Sequence, residues 1–174
     1  MISEKLEKAL NAQVNAEYYS AYLYHSMSAY AERAALKGIA NWLFVQAKEE
    51  MAHGVNMYQY ILDRGAVPVL TAIEQPPVEF ESIEDLFRMV LEHEQKVTRL
   101  INAIASLAMQ ESDHACYQFI MWYVNEQVEE EANASDIIGR LELIGGDKGL
   151  LLSLDNELAA RTFVNPFPAN SKLM

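Results

Sequence analysis

Glu17, Glu50, Glu94 and Glu130 each stand where helical periodicity calls for an apolar core residue, and Glu50 opens a Glu-x-x-His pair with His53. The first series runs Leu6, Leu10, Gln13, Glu17, Ala21, Tyr24, and the second Leu43, Ala47, Glu50, Gly54, Met57, Ile61. The third runs Phe87, Val90, Glu94, Val97, Ile101, Ile104, and the fourth Tyr123, Glu126, Glu130, Ala134, Ile137, Leu141. Steps of three and four residues keep each series on one face of a helix. An ionised carboxylate buried without a partner is costly even after relaxation. Four carboxylates converging in one core therefore call for cations, and two divalent ions would balance them with His53 as a neutral nitrogen donor. Hard carboxylate oxygens with one imidazole suit iron. Zinc fits the same donors but cannot undergo a redox step.

A second acidic layer follows from the same geometry. At about 100° per residue, Glu49, Glu50 and His53 share one arc while Met51 points nearly opposite. Glu126, Glu129 and Glu130 share another arc, with Glu131 turned outward. Glu49, Glu126 and Glu129 can thus flank the main site. The plainer reading of Glu129 to Glu131 is a solvated acidic face, which is preferred for Glu131; for Glu49 and Glu129 both readings stand. His25, His93 and His114 have no partner pattern and read as surface or interface residues. Tyr117, Phe119, Trp122 and Tyr123 read mostly as core, and Cys116 as inert.

Long helices must position these groups. The first is expected from about Ser3 to Leu36, with Gly38 marking a turn, and the second from about Ile39 to Arg64, ending at Gly65. Residues 65–81 contain Pro68, Pro76 and Pro77 and cannot be helical throughout. A connection of that length suits a crossover that sets helices two and three parallel. Ser82 and Asp85 mark the start of a third helix, which runs to about Gln110. Asp113 caps a fourth that ends at Gly145-Gly146. A short fifth helix, about Asp147 to Arg161, carries Leu150, Leu151, Leu154 and Leu158, enough apolar surface to seek an interface. The fold class is therefore all-α, a four-helix bundle with a long crossover and a short fifth helix. Residues 1–161 form the domain and residues 162–174 an irregular tail.

The totals agree. The chain has 174 residues, 51% of them hydrophobic and 22% charged, an ordinary globular balance. Its net charge of −12 argues against nucleic acid or an anionic membrane surface as partner. The N-terminus lacks an apolar signal core, and no stretch approaches the ~20 residues of a spanning helix. With one cysteine, no internal disulfide forms and a cytoplasmic setting is expected.

The ferritin-like di-iron bundles carry single glutamates on two helices and Glu-x-x-His on the other two. Here helix four offers Glu126-Gln127-Val128-Glu129-Glu130 with no histidine. With Asn15-Ala16-Glu17, Tyr24, Glu49-Glu50-Met51-Ala52-His53, His93-Glu94 and Trp122 to Glu131, the chain resembles the non-haem ferritins of the prokaryotic type. The resemblance covers the chain to about Arg161. It implies an iron-storage protein whose ferroxidase centre has Glu17, Glu50 and His53 at one iron and Glu50, Glu94 and Glu130 at the other. It also implies that Gln127 lines the oxygen pocket and that Tyr24 hydrogen-bonds near the site. Glu49, Glu126, Glu129 and Glu130 match the family's third iron site. Dioxygen or hydrogen peroxide would oxidise Fe(II), and twenty-four subunits would enclose the ferric mineral in a homo-oligomeric cage. Met51 matches the haem-ligand position of bacterioferritins, yet non-haem relatives share it; packing is favoured and no haem is expected. The alternatives are a di-iron peroxidase or a bacterioferritin-like protein, both weakened by the missing second Glu-x-x-His. Tyr117 and Ile120 replace the acidic residues that guide iron through the three-fold pore of animal ferritins, so Glu111 and Asp113 supply an outer ring or iron enters elsewhere.

Overall fold

Each helix starts where a short polar side chain can take up free backbone N–H groups. Ser3 accepts from the N–H of Leu6, Ser82 from that of Asp85, Asp113 from that of Cys116, and Asp147 from those of Gly149 and Leu150. The computed structural model describes residues 2–167. They form α1 (Glu4–Arg33), α2 (Lys37–Asp63), α3 (Ile83–Gln110), α4 (His114–Ile144) and α5 (Lys148–Leu158), with no strand among the described residues.

The first turn lies earlier than Gly38. The chain reverses over Ala34–Leu36, with Ala35 at φ 61°, and Gly38 sits inside the first turn of α2. Its role is close approach: a Cβ there would fall 1.6 Å from the Asp155 carbonyl oxygen on α5. Across the same contact the Asp155 carboxylate accepts from the Ile39 N–H at 2.8 Å. No side chain caps α2 from its own N-cap position at Leu36, so α5 supplies the cap instead.

The proline-containing connection runs back along α1 as expected. Asn11 binds the backbone of Val67 and Val69, Asn15 binds that of Ala72, and Arg33 binds the Val78 carbonyl. These contacts climb α1 from its N-terminal half to its C-terminal end, so α3 begins where α2 began and runs parallel to it.

The buried apolar residues fall into two clusters. One gathers Met27 of α1, Leu43 of α2, Phe87 of α3 and Ile137 of α4; the other gathers Leu10, Ile61, Ile101 and Ile120. On every long helix a glutamate separates the two. The carboxylates form a polar belt across an otherwise apolar bundle. The leucines of α5 are divided: Leu154 and Leu158 are buried against the subunit's own core, Leu151 packs on it, and Leu150 remains exposed beside Leu152.

Candidate metal centre

Glu17, Glu50, His53, Glu94 and Glu130 are each 5% exposed or less, which removes the reading of accidental surface glutamates. Local sequence lets α1 and α2 come close enough for this. Gly54 follows His53, and a Cβ there would lie 2.5 Å from the Tyr18 ring and 3.3 Å from Glu17 Cβ. Nδ1 of His53 stands 3.7 Å from Glu50 Oε2 and 3.9 Å from Glu17 Oε2. One donor atom from each of Glu17, Glu50 and His53 lies within 4.8 Å of the others. Donors sharing an ion at ~2.1 Å bonds sit up to ~4.2 Å apart, so a small closing movement would seat a divalent cation. Glu17 Oε2 and His53 Nε2 are buried with no hydrogen-bond partner, a cost that coordination of the carboxylate would relieve at Glu17.

Glu94 and Glu130 are buried close enough for their charges to act on Glu50, lie outside that three-residue group, and are held by neutral donors. The Tyr24 hydroxyl donates to Glu94, and the Gln127 amide donates to the Glu94 carboxylate at 3.1 Å and its carbonyl at 3.2 Å. The Gln46 amide donates to Glu130, and the Gln13 amide to Glu17 at 2.8 Å. Burial drives the Glu17 and Glu50 carboxyls well above the usual range, with Glu50 reinforcing Glu17 and Glu94 reinforcing Glu50. Burial also raises Glu94, and raises Glu130 to about 8 with the Glu94 charge adding to it. The same burial, with Glu94 beside it, pushes the Tyr24 phenol well up. Burial thus disfavours the charged form of these carboxylates, and a bound cation would favour it.

The flanking acids are graded in depth. Glu49 and Glu126 are half-buried and Glu129 is exposed. Burial raises the Glu49 and Glu126 carboxyls, against the opposing field of Arg161, and the Glu129 charge adds to both.

Several positions differ from the periodicity reading. Gln127, rather than Glu126, occupies the buried stripe of α4 between Tyr123 and Glu130. Glu131 is half-buried and accepts from Thr98 Oγ1 at 2.6 Å, where a solvated face was expected. Met51 is exposed rather than packed. His93 is half-buried: its Nε2 lies 2.8 Å from Ser20 Oγ, and burial lowers it to about 4. Ile120 is buried in the subunit's own core, and the Asp113 carboxylate is paired with Arg64 at 2.7 Å, so neither is a free channel group. Cys116 is buried, which lifts its thiol to about 11 and keeps it unreactive. His25 and His114 are exposed, as expected. Periodicity overlooked Gln46 and Arg161. Gln46 is a polar residue four positions before Glu50 on a buried face, a signal that was available; Arg161 carried none.

The chain is similar to known proteins in both sequence and fold. Residues 7–144 match the Ferritin-like domain. The chain is 42% identical over 163 residues to a bacterial non-heme ferritin of Staphylococcus aureus, covering 94% of this chain and 98% of that one. The same identity and coverage hold for a bacterial non-heme ferritin of Staphylococcus epidermidis. Among solved structures, the open pore ferritin of the archaeon Archaeoglobus fulgidus superposes with a TM-score of 0.92 at 51% identity, over 93% of this chain and 100% of that one. An engineered closed form of that ferritin gives 0.93 at 50% identity, over 94% and 100%. The chain belongs to the ferritin family, among the non-haem ferritins of the prokaryotic type.

Proposed function

We propose that this ferritin oxidises Fe(II) at the Glu17–Glu50–His53–Glu94–Glu130 belt and stores the ferric product as a mineral inside a cage of twenty-four copies. The observation that carries the reading is the buried Glu17–Glu50–His53 group, one carboxylate oxygen unpartnered, with Glu94 and Glu130 also buried between the same two apolar clusters. Iron is the substrate. Glu17, Glu50 and His53 hold one ion and Glu50, Glu94 and Glu130 the other, with Glu50 shared. Each Fe(II) gives up one electron; dioxygen takes two electrons and two protons to become hydrogen peroxide, or peroxide takes two electrons and two protons to become water. The protons that binding displaces from Glu17, Glu50 and Glu130 are available at the site. Oxygen-rich ligation favours the ferric state, and a single nitrogen donor leaves the product loosely held for transfer to the mineral.

Tyr24 holds Glu94 through its hydroxyl. Gln127 fixes the other side of Glu94 and lines the space for the oxidant. Glu49, Glu126 and Glu129, with Glu130, form a third site where iron waits between oxidation and deposition. The functional unit is residues 1–161 in a cytoplasmic cage, with 162–174 as tail; residues 168–174 lie outside those described. No helix of the described residues is long and apolar enough to cross a membrane.

Loading with Fe(II) under air, followed by size-exclusion chromatography with iron detection, tests this. Iron should elute with protein in a particle the size of a large cage, with rapid initial oxidation. Iron eluting only as free ion, or a small particle, would refute it.

A further inference from the structure

Beyond α5 the chain turns back over the groove between α2 and α4, on the side where the flanking acids lie. Asn41 donates to the backbone carbonyls of Ala159 and Arg161, the latter at 2.9 Å, and fixes the turn. Farther on, the Phe167 ring packs tilted against Trp122, 4.6 Å between centroids, and lies 6.0 Å from the His53 ring. Between these anchors Arg161 points into the groove. Its guanidinium pairs with Glu49, donates to Gln46 Oε1 at 2.7 Å, and lies 4.6 Å over the Trp42 ring. Gln46 in turn donates from its amide to Glu130. A chain of hydrogen bonds therefore runs from the segment after α5 to a carboxylate of the central belt. Arg161 and Glu49 are each about four-fifths buried in their side chains, so this is a desolvated ion pair rather than a surface contact.

We infer that Arg161 is a built-in cation of the outer acidic site, which a third metal ion must displace before it can take Glu49, and which through Gln46 sets the position of Glu130. This rests on the third-site reading above and adds to it the group that limits occupancy. Three facts support it. The guanidinium contacts Glu49, the residue that stands beside Glu50 in sequence and faces the flanking site. Its charge also acts on Glu126 and Glu130, so a metal ion at that site meets repulsion while Arg161 remains. And the half-buried carboxylates there, Glu49 and Glu126, gain a balancing charge in the absence of metal. Displacement has a place to go, because Arg161 stands on a segment outside the helices and can swing outward without disturbing the bundle.

The experiment is calorimetric titration of the metal-free assembled protein with Zn(II) at pH 7, comparing wild type, Arg161→Gln and Arg161→Lys. Zn(II) binds the same donors and cannot be oxidised, so occupancy is read apart from turnover. A metal ion that takes Glu49 must first break its close ion pair with Arg161, so removing the guanidinium should tighten the weakest of three binding steps by on the order of tenfold. The step at Glu17, Glu50 and His53, none of which Arg161 touches, should change by less than about threefold, and Arg161→Lys, which keeps the charge, should stay near wild type. An unchanged third step in Arg161→Gln would overturn the inference while leaving the third site standing. Two steps only, in wild type and Arg161→Gln alike, would remove the third site and the inference with it. Should Arg161→Gln fail to assemble, Trp42 reports directly: in a Trp122→Phe protein with Arg161 intact, filling the third site should alter Trp42 emission as the guanidinium leaves its ring. Constant emission through that step would equally overturn it.

Discussion

Replacing Glu130 by glutamine should make the metal-free protein more stable, by an amount that grows with pH. The folded state holds this carboxyl at about 8, against 4.5 for an unperturbed one, because burial and the neighbouring Glu94 oppose its charge. Below pH 4.5 both folded and unfolded chains are protonated there and Glu130 carries no penalty. Between 4.5 and about 8 the unfolded chain ionises freely while the folded one keeps its proton, so the wild type loses about 1.4 kcal/mol per pH unit. At pH 7 the accumulated loss is about 3 kcal/mol, and above about 8 it stops growing. Glutamine never ionises, and its carbonyl can still accept from Gln46. For a chain of this length about 3 kcal/mol corresponds to a melting shift of about 6–12 °C. The assay is thermal unfolding of chelator-treated protein at pH 5, 7 and 8.5, followed by helical circular dichroism. The gap between variant and wild type should be small at pH 5 and wide at pH 7 and 8.5. Adding Zn(II) should reverse the order, since only the wild type has its full ligand set. A variant less stable than wild type at pH 7 without metal, or a gap independent of pH, would refute the claim that Glu130 is a carboxylate held in place for a cation.

Three further outcomes are open to measurement. Glu50→Ala and His53→Ala should leave helical content and particle size intact while lowering the initial Fe(II) oxidation rate at least tenfold in stopped-flow; an unchanged rate would remove both from the ligand set. Glu129→Ala should leave that first burst within about twofold but change iron consumed per oxidant in later turnovers, because the side chain is exposed beside the buried belt; complete loss of the burst would place it inside. Gly38→Val should undock α5 and lower the melting temperature by several degrees, since its side chain would occupy the place of the Asp155 carbonyl; a variant melting with wild type would show that α5 contributes nothing there.

What the sequence made legible follows from which contacts are local. The stripes of all four long helices and their glutamates could be read because periodicity of three and four residues reports directly on burial, and the carboxylates broke it once per helix. Gln127 was misplaced by one position for the same reason: with Glu126, Gln127, Glu129 and Glu130 adjacent on α4, periodicity cannot choose which of two neighbours faces inward until α3 is packed against them. Gly38 looked like a turn because glycine is judged by backbone freedom, whereas its use here is the absence of a side chain facing α5. Arg161 was out of reach altogether. It lies 112 residues from Glu49 in the chain, beyond the last helix, and no spacing rule connects the two. The inner belt is thus assembled from side chains that each helix places by its own period. The charge that governs the outer site arrives from a segment placed only once α5 has docked on Gly38. If the outer site binds metal as proposed, its occupancy and the docking of the C-terminal segment are linked: a cation that displaces Arg161 would weaken the hold on residues 159–167, and a change that loosens α5 should favour that cation.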